Sequence, residues 1–209
     1  MRTLDPSATL EPELLMTSRL RPGRGGIPLL TLFVFYALFA LVGWGWDVWR
    51  EGPTGMVPVR PDLWVADLAI GLGLGIFTVA CTAILSRLSA TARALEQELR
   101  QALGRPSGWE IFLYALTSSV GEEILFRGAM QPSWGLWITA LVFGFVHGGF
   151  MGRMWLWSVF ALLMGLALGG VYSHTGALAA PIVAHFVVNF VNLHRLTGPE
   201  TMPLDEGGE

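Results

Sequence analysis

Six polar side chains stand inside otherwise apolar stretches of this chain. Glu122, Glu123 and Arg127 share one stretch, His147 lies in the next, and His185 and Asn189 lie in the last. Charged side chains cost a few kcal/mol each in a membrane span even on lenient scales, so they mark a functional site with partners. On a helix Glu123 and Arg127 are four apart, share a face and can pair. Glu122 points about 100° away, toward a different neighbour. A carboxylate with a histidine can activate water as a general base. A second histidine with an asparagine can donate hydrogen bonds to a developing oxyanion. Two histidines and two glutamates could instead hold zinc, with one position left for water. The spacing is not the HExxH helix of soluble zinc proteases, and at this point both versions stay open.

The elements that must position these residues are membrane helices. The chain is 53% hydrophobic and only 14% charged, too apolar for a soluble domain of this length. The predicted fold class is all-α: a polytopic transmembrane helix bundle of about six spans plus an amphipathic interfacial helix. The spans are read at Ile27 to Trp49, Leu63 to Leu85, Trp109 to Met130, Trp134 to Gly149, Met154 to Ser173 and Ala177 to Leu196. The first is long enough to cross a hydrocarbon core of about 30 Å and is read as a retained anchor, since no small-residue cleavage site follows it. Trp44, Trp46 and Trp49 crowd its far end as an interfacial belt. Pro53, Pro58 and Pro61 exclude continuous helix before the second span. Asp67, one turn inside that span, reads as an interfacial acid at the helix N-terminus. A turn at Gln131, Pro132 and Ser133 is expected between the third and fourth spans.

Residues 86–108 carry four arginines and two glutamates, with Leu95, Leu99 and Leu103 at helical spacing. They read as an amphipathic connector lying on the membrane surface. Gly144, Gly148 and Gly149, and Gly165, Gly169 and Gly170, read as places where helices approach closely. Residues 1–26 read as a flexible cytoplasmic tail with a short helix near Glu11 to Leu20, residues 27–108 as two N-terminal spans and the connector, and residues 197–209 as a disordered tail. His174 falls at a predicted turn and reads as a solvated interface residue. Cys81, the one cysteine, cannot form an internal disulfide and is read as a buried, inert thiol. The net charge of −3 suggests no nucleic-acid partner. The lipid bilayer is the expected environment.

Three motifs follow in order on successive spans: Glu122-Glu123-Ile124-Leu125-Phe126-Arg127, Phe143 to His147, and His185 to Asn189. In this order they resemble the CPBP family of type II CAAX-prenyl endopeptidases and bacteriocin-processing or self-immunity proteins, also called ABI proteins. The resemblance covers residues 109 to 194 and leaves out the first two spans. It implies an intramembrane endopeptidase whose catalytic bundle spans 109–196 and whose substrate is a membrane-anchored or lipidated protein or peptide. By the family pattern Glu122 and His147 would activate the attacking water. His185 and Asn189 would form the oxyanion hole, while Glu123, Arg127 and Phe143 orient the site. The metal-free, glutamate-dependent version is favoured, because Asn189 then has a purpose. If zinc were bound, Glu122, His147 and His185 would hold it.

Ten arginines lie on one side of the expected spans, against Arg50 and Arg60 on the other. The imbalance predicts that both termini are cytoplasmic, in a bacterial-type inner membrane. Glu122 then lies toward the outer end of the third span. That placement suits removal of C-terminal anchors from exported proteins, as in sortase-like members, better than processing of prenylated tails. The alternative is a non-catalytic immunity or chaperone-like membrane protein that keeps the site for binding.

Overall fold

The structure, a computed structural model, describes residues 28–52, 55–149 and 154–198. The tails expected at 1–26 and beyond Gly198, and the helix near Glu11 to Leu20, lie outside these residues. Every regular element described is a helix. In order they are α1 (Leu29–Glu51), α2 (Trp64–Leu88), α3 (Ala90–Leu103), α4 (Gly108–Glu123), a π-helical segment (Ile124–Met130), α5 (Gln131–Gly148), α6 (Trp155–Thr175) and α7 (Ala179–Thr197).

Four stretches are long and apolar enough to cross a membrane: α1, α2, the unbroken run Gly108–Gly148 and α6. The sequence suggested six, and two features account for the difference. The 41-residue run doubles back at Gly135, whose φ of 81° and ψ of 167° lie outside the helical region. Phe126 and Phe143 flank that residue and their ring centroids are 4.9 Å apart. In straight helix the same separation in sequence would place them about 25 Å apart. The run is therefore two legs, each packed on the other. The remaining helix, α7, carries His185, Asn189, Asn192, His194 and Arg195, which dilute its apolar character.

The reversal does not sit at Gln131 to Ser133, where the sequence suggested a turn. Pro132 was expected within that turn. It enters instead directly after a segment whose ladder is already widened, with the Gln131 N–H donating to the Phe126 carbonyl five residues back. A proline is tolerated where the preceding turn is not asking for its N–H. Gly135, which alone can hold the left-handed φ without strain, makes the turn.

The bundle is apolar outside and polar within, as a lipid-solvated protein must be. Phe33 and Leu38 on α1, Ile76 and Phe77 on α2, and Leu141 and Phe145 on α5 are exposed, whereas Asp47, Asp67, Ser119, Glu123 and Arg127 are buried. Helix α2 packs along α7, α5 along α6, and α4 against both α1 and α7. Gly71 and Gly75 give α2 its approach to α7: a Cβ at either would lie 2.6 Å from the Ala180 carbonyl oxygen or 2.7 Å from Val187 Cβ.

Several local expectations change. Cys81 is exposed on the outer face of α2 instead of buried. Asp67 does sit in the first turn of α2 but has no exposed surface, because the Arg60 guanidinium folds over it and forms an ion pair. The carboxylate in turn holds the Arg60 guanidinium above its ordinary pKa. Trp44 and Trp49 face outward, but Trp46 turns inward and meets Trp134 edge-on at 5.2 Å. Helix α3, capped by the Ser89 hydroxyl, directs its Ala92 and Leu95 face into the protein, against α2, α6 and α7. Gly149 closes α5 with a φ of 64° and does not serve helix approach. Gly170 likewise has open space beside it.

Candidate active site

The site is built on the junction between α4 and the π-helical segment. Glu122 and Glu123 are the last two residues of α4, and both are buried. Arg127, one turn on, donates from Nη1 to Glu123 Oε1 at 3.0 Å and from Nη2 to the Gly165 carbonyl of α6 at 3.2 Å. Its guanidinium lies 4.6 Å from the centroid of the Phe143 ring. The same Glu123 oxygen accepts from His185 Nδ1 at 2.7 Å. One carboxylate thus joins three elements: the π-helical segment, α6 through the arginine, and α7 through the histidine.

Glu122 faces another way. Its Oε2 is 3.5 Å from His147 Nε2 and 3.9 Å from His185 Nε2, and it takes no hydrogen bond of its own. The second ring nitrogen of each histidine is spoken for. His147 Nδ1 lies 2.6 Å from the Phe143 carbonyl oxygen, which can only accept, so Nδ1 carries the hydrogen. His185 Nδ1–H points at Glu123. Both Nε2 atoms are thereby turned toward Glu122. Phe143 packs among them, with its ring 4.3 Å from His147 and 6.1 Å from His185.

Charge counting constrains this cluster. Two carboxylates against one guanidinium leave a net −1 in a dry interior. One further proton, shared among Glu122, His147 and His185, makes the cluster neutral and removes the clash between an imidazole lone pair and a carboxylate.

Asn189 stands one turn beyond His185 on α7 and donates from Nδ2 to Ser118 Oγ at 3.0 Å. Ser118 is buried and sits one turn before Glu122 on α4; its hydroxyl proton goes to the Ala115 carbonyl. The serine oxygen must therefore accept from the asparagine, and this fixes which way the amide is turned. A cavity of about 20 Å³, measured as the volume open to the centre of a water molecule, is lined by His147, His185, Asn189, Phe143 and Trp157 among others. That is room for about one water. Trp157 and Phe160 also line a larger apolar groove of about 230 Å³ between α2, α3, α6 and α7, with Glu96 and Arg195 among its lining.

All seven residues singled out in the sequence come together here. Two partners were missed. Ser118 shares a helix face with Glu122, a spacing that could have been noticed. Tyr36 on α1 lies with its backbone directly against Gly121, the neighbour of Glu122, and nothing in the sequence pattern of α1 signals it.

Two imidazole nitrogens and a carboxylate oxygen make a donor set that zinc accepts, and their Phe143 and Glu123 partners resemble an outer shell of such a site. As placed, however, no three His, Cys, Asp or Glu side chains among the described residues are arranged to hold a metal ion.

Residues 105–191 match the model of the Rce1-like family, described as type II CAAX prenyl endopeptidase Rce1-like. Over that segment, less than half of its length, the chain is similar to that family. The segment contains all three motifs, and with the apolar helices it identifies an integral membrane protein. An uncharacterized protein of Bacillus subtilis (strain 168), YpbD, is 35% identical over 81 residues, 39% of this chain. The match spans 42% of that relative's length. No solved structure matches the chain. Helices α1 to α3 lie before the matched segment, yet α1 packs Tyr36 against its Gly121.

Proposed function

We propose that the chain is a metal-free intramembrane endopeptidase that hydrolyses a peptide bond in a membrane-anchored or lipidated protein or peptide. The observation that carries this reading is the convergence of Glu122 Oε2 with His147 Nε2 and His185 Nε2 beside a water-sized cavity. In the proposed reaction Glu122, with His147, takes a proton from a water molecule as its oxygen bonds to the scissile carbonyl carbon. The shared proton resides on His185, and its Nε2–H together with Asn189 stabilises the oxyanion. Collapse of the tetrahedral intermediate breaks the C–N bond, and the proton held by Glu122 passes to the leaving amine. The apolar groove that meets the cavity at Trp157 and Phe160 suits entry of an extended, membrane-embedded segment.

The arginine distribution supports cytoplasmic termini in a bacterial-type inner membrane, and with them a site nearer the outer face and a C-terminal anchor or sorting segment as substrate over a cytoplasmic CAAX-type tail. The test compares intact masses and chain termini of membrane and secreted proteins in cells with and without this chain. Substrates are expected to keep an extra terminal segment only in its absence, and the position of the cut reads which side the site faces. Identical termini in both cell types would overturn the proposal.

The Ser118 contact yields a second expectation. Ser118→Ala should lower kcat about three- to tenfold, the worth of one neutral hydrogen bond, while KM stays near its original value. Ser118→Thr, which keeps the hydroxyl, should recover most of the loss. Steady-state kinetics on an identified substrate decide it, and an unchanged kcat in the alanine variant would remove Ser118 from the site.

A further inference from the structure

We propose that Asn192 is a substrate-binding residue: its amide nitrogen donates to a main-chain carbonyl of an extended peptide segment that lies along α7, beside the bond to be cut. The inference rests on the hydrolytic reading above and deepens it, because it places the substrate's backbone as well as its scissile carbonyl.

The water-sized cavity and the larger apolar groove are continuous along two helices. On α7 the cavity is lined by His185 and Asn189 and the groove by Asn192 and Arg195, while Trp157 and Phe160 of α6 line both. At about 100° per residue, His185, Asn189 and Asn192 fall within an arc of about 60° on α7. Along the helix axis Asn192 lies about 4.5 Å beyond Asn189 and about 10.5 Å beyond His185. An extended chain advances about 3.3 Å per residue. A peptide whose scissile carbonyl meets His185 and Asn189 therefore carries a neighbouring main-chain carbonyl, about one to three residues away, to the level of Asn192.

The amide of Asn192 is turned for this task. Thr82 Oγ1 of α2 and Arg195 Nη1 each lie 3.2 Å from its Oδ1. An arginine only donates, so the amide oxygen faces this pair and the nitrogen is turned elsewhere. Among the described residues none accepts a hydrogen bond from Nδ2. Tying α2 to α7 needs only the oxygen. The donor left over is what a peptide requires and a hydrocarbon chain does not, since a main-chain carbonyl without a partner inside a bilayer costs several kcal/mol. Leu95, Leu99 and Leu163 along the groove offer contact to apolar side chains. The polar edge of α7 serves the backbone that carries them.

The test reads binding to the full chain in proteoliposomes, with Glu122→Gln as background so that the probe is not consumed. The probe is a dye-labelled apolar anchor peptide. Energy transfer to a second dye on Cys81, the single cysteine and exposed on α2, reports its Kd. Asn192→Asp keeps an oxygen toward Thr82 and Arg195 but lacks the N–H, and Asn192→Ala removes both. Each should raise Kd about three- to tenfold, the worth of one neutral hydrogen bond. Thr82→Val, which loosens the contact between helices without touching substrate, should leave Kd less than about threefold changed. A merely structural role would give the opposite pattern, sparing Asn192→Asp and moving Thr82→Val together with Asn192→Ala. In a series of peptides with single amide bonds replaced by trans-alkene isosteres, one member should bind the Asn192 and Asn192→Asp chains equally. A Kd raised less than about threefold in Asn192→Asp, a loss of equal size across the whole series, or a peptide that does not bind overturns the proposal. Cleavage of the peptide by Glu122→Gln sinks the hydrolytic reading instead, and the isostere series still decides the role of Asn192.

Discussion

Glu122→Gln should abolish cleavage, lowering kcat by about 10²–10⁴-fold, the range assigned to a positioned general base, with KM little changed. Glutamine has the size of glutamate, so the variant should fold and insert like the original chain. What it lacks is the ability to take a proton from water. The same assay with a zinc chelator should show no loss, because in the proposed reaction Glu122 and His147 act without a metal. A Glu122→Gln protein that still cleaves at more than a tenth of the original rate would remove the catalytic role of Glu122. One that loses cleavage but still rescues every effect of deleting the chain would instead favour a binding protein of the immunity or chaperone-like kind.

Arg127→Met should destabilise the protein by about 3–5 kcal/mol, because it leaves Glu123 buried without its cation. Both partners are almost wholly inaccessible, with side-chain exposures of 1% and 0%, so solvent cannot take over. That amount is a large fraction of the stability of an ordinary domain, and the variant should show a strongly lowered melting temperature in detergent. Removing both charges separates structure from function. Glu123→Leu combined with Arg127→Met should recover much of the stability, since replacing a buried pair by packed apolar groups is often neutral. Activity should stay low, because His185 Nδ1 loses the carboxylate that turns its ring. A single Arg127→Met variant as stable as the original would show that the pair contributes little to holding the helices.

The residues of the site were legible in the sequence because their cost is legible. Glu122, Glu123, Arg127, His147, His185 and Asn189 sit where apolar residues would serve, and helical spacing places Glu123 under Arg127 and His185 under Asn189. The all-helical, membrane-embedded class followed from composition for the same reason. The path of the chain between these residues was less legible. A turn was expected at Gln131 to Ser133, but the reversal falls at Gly135, because a widened π-helical turn accommodates Pro132 and only a left-handed glycine makes the bend. Cys81 looked buried because it lies in an apolar run; in a bilayer such runs face outward, so an apolar neighbourhood does not imply burial.

The sequence by itself determined that expensive polar groups would meet inside a helix bundle, since composition and spacing are properties of the chain alone. Tertiary structure alone decided how they are wired. Glu123 bridges Arg127 and His185, which are 58 positions apart, the Gly165 carbonyl receives the arginine, Ser118 turns Asn189, and Tyr36 of α1 lies against Gly121. Apart from the Glu123–Arg127 pair, each contact joins helices that are distant in sequence. Their facing is set by close-packed crossings such as Gly121 on Tyr36, and periodicity along one helix carries no information about which helix lies opposite.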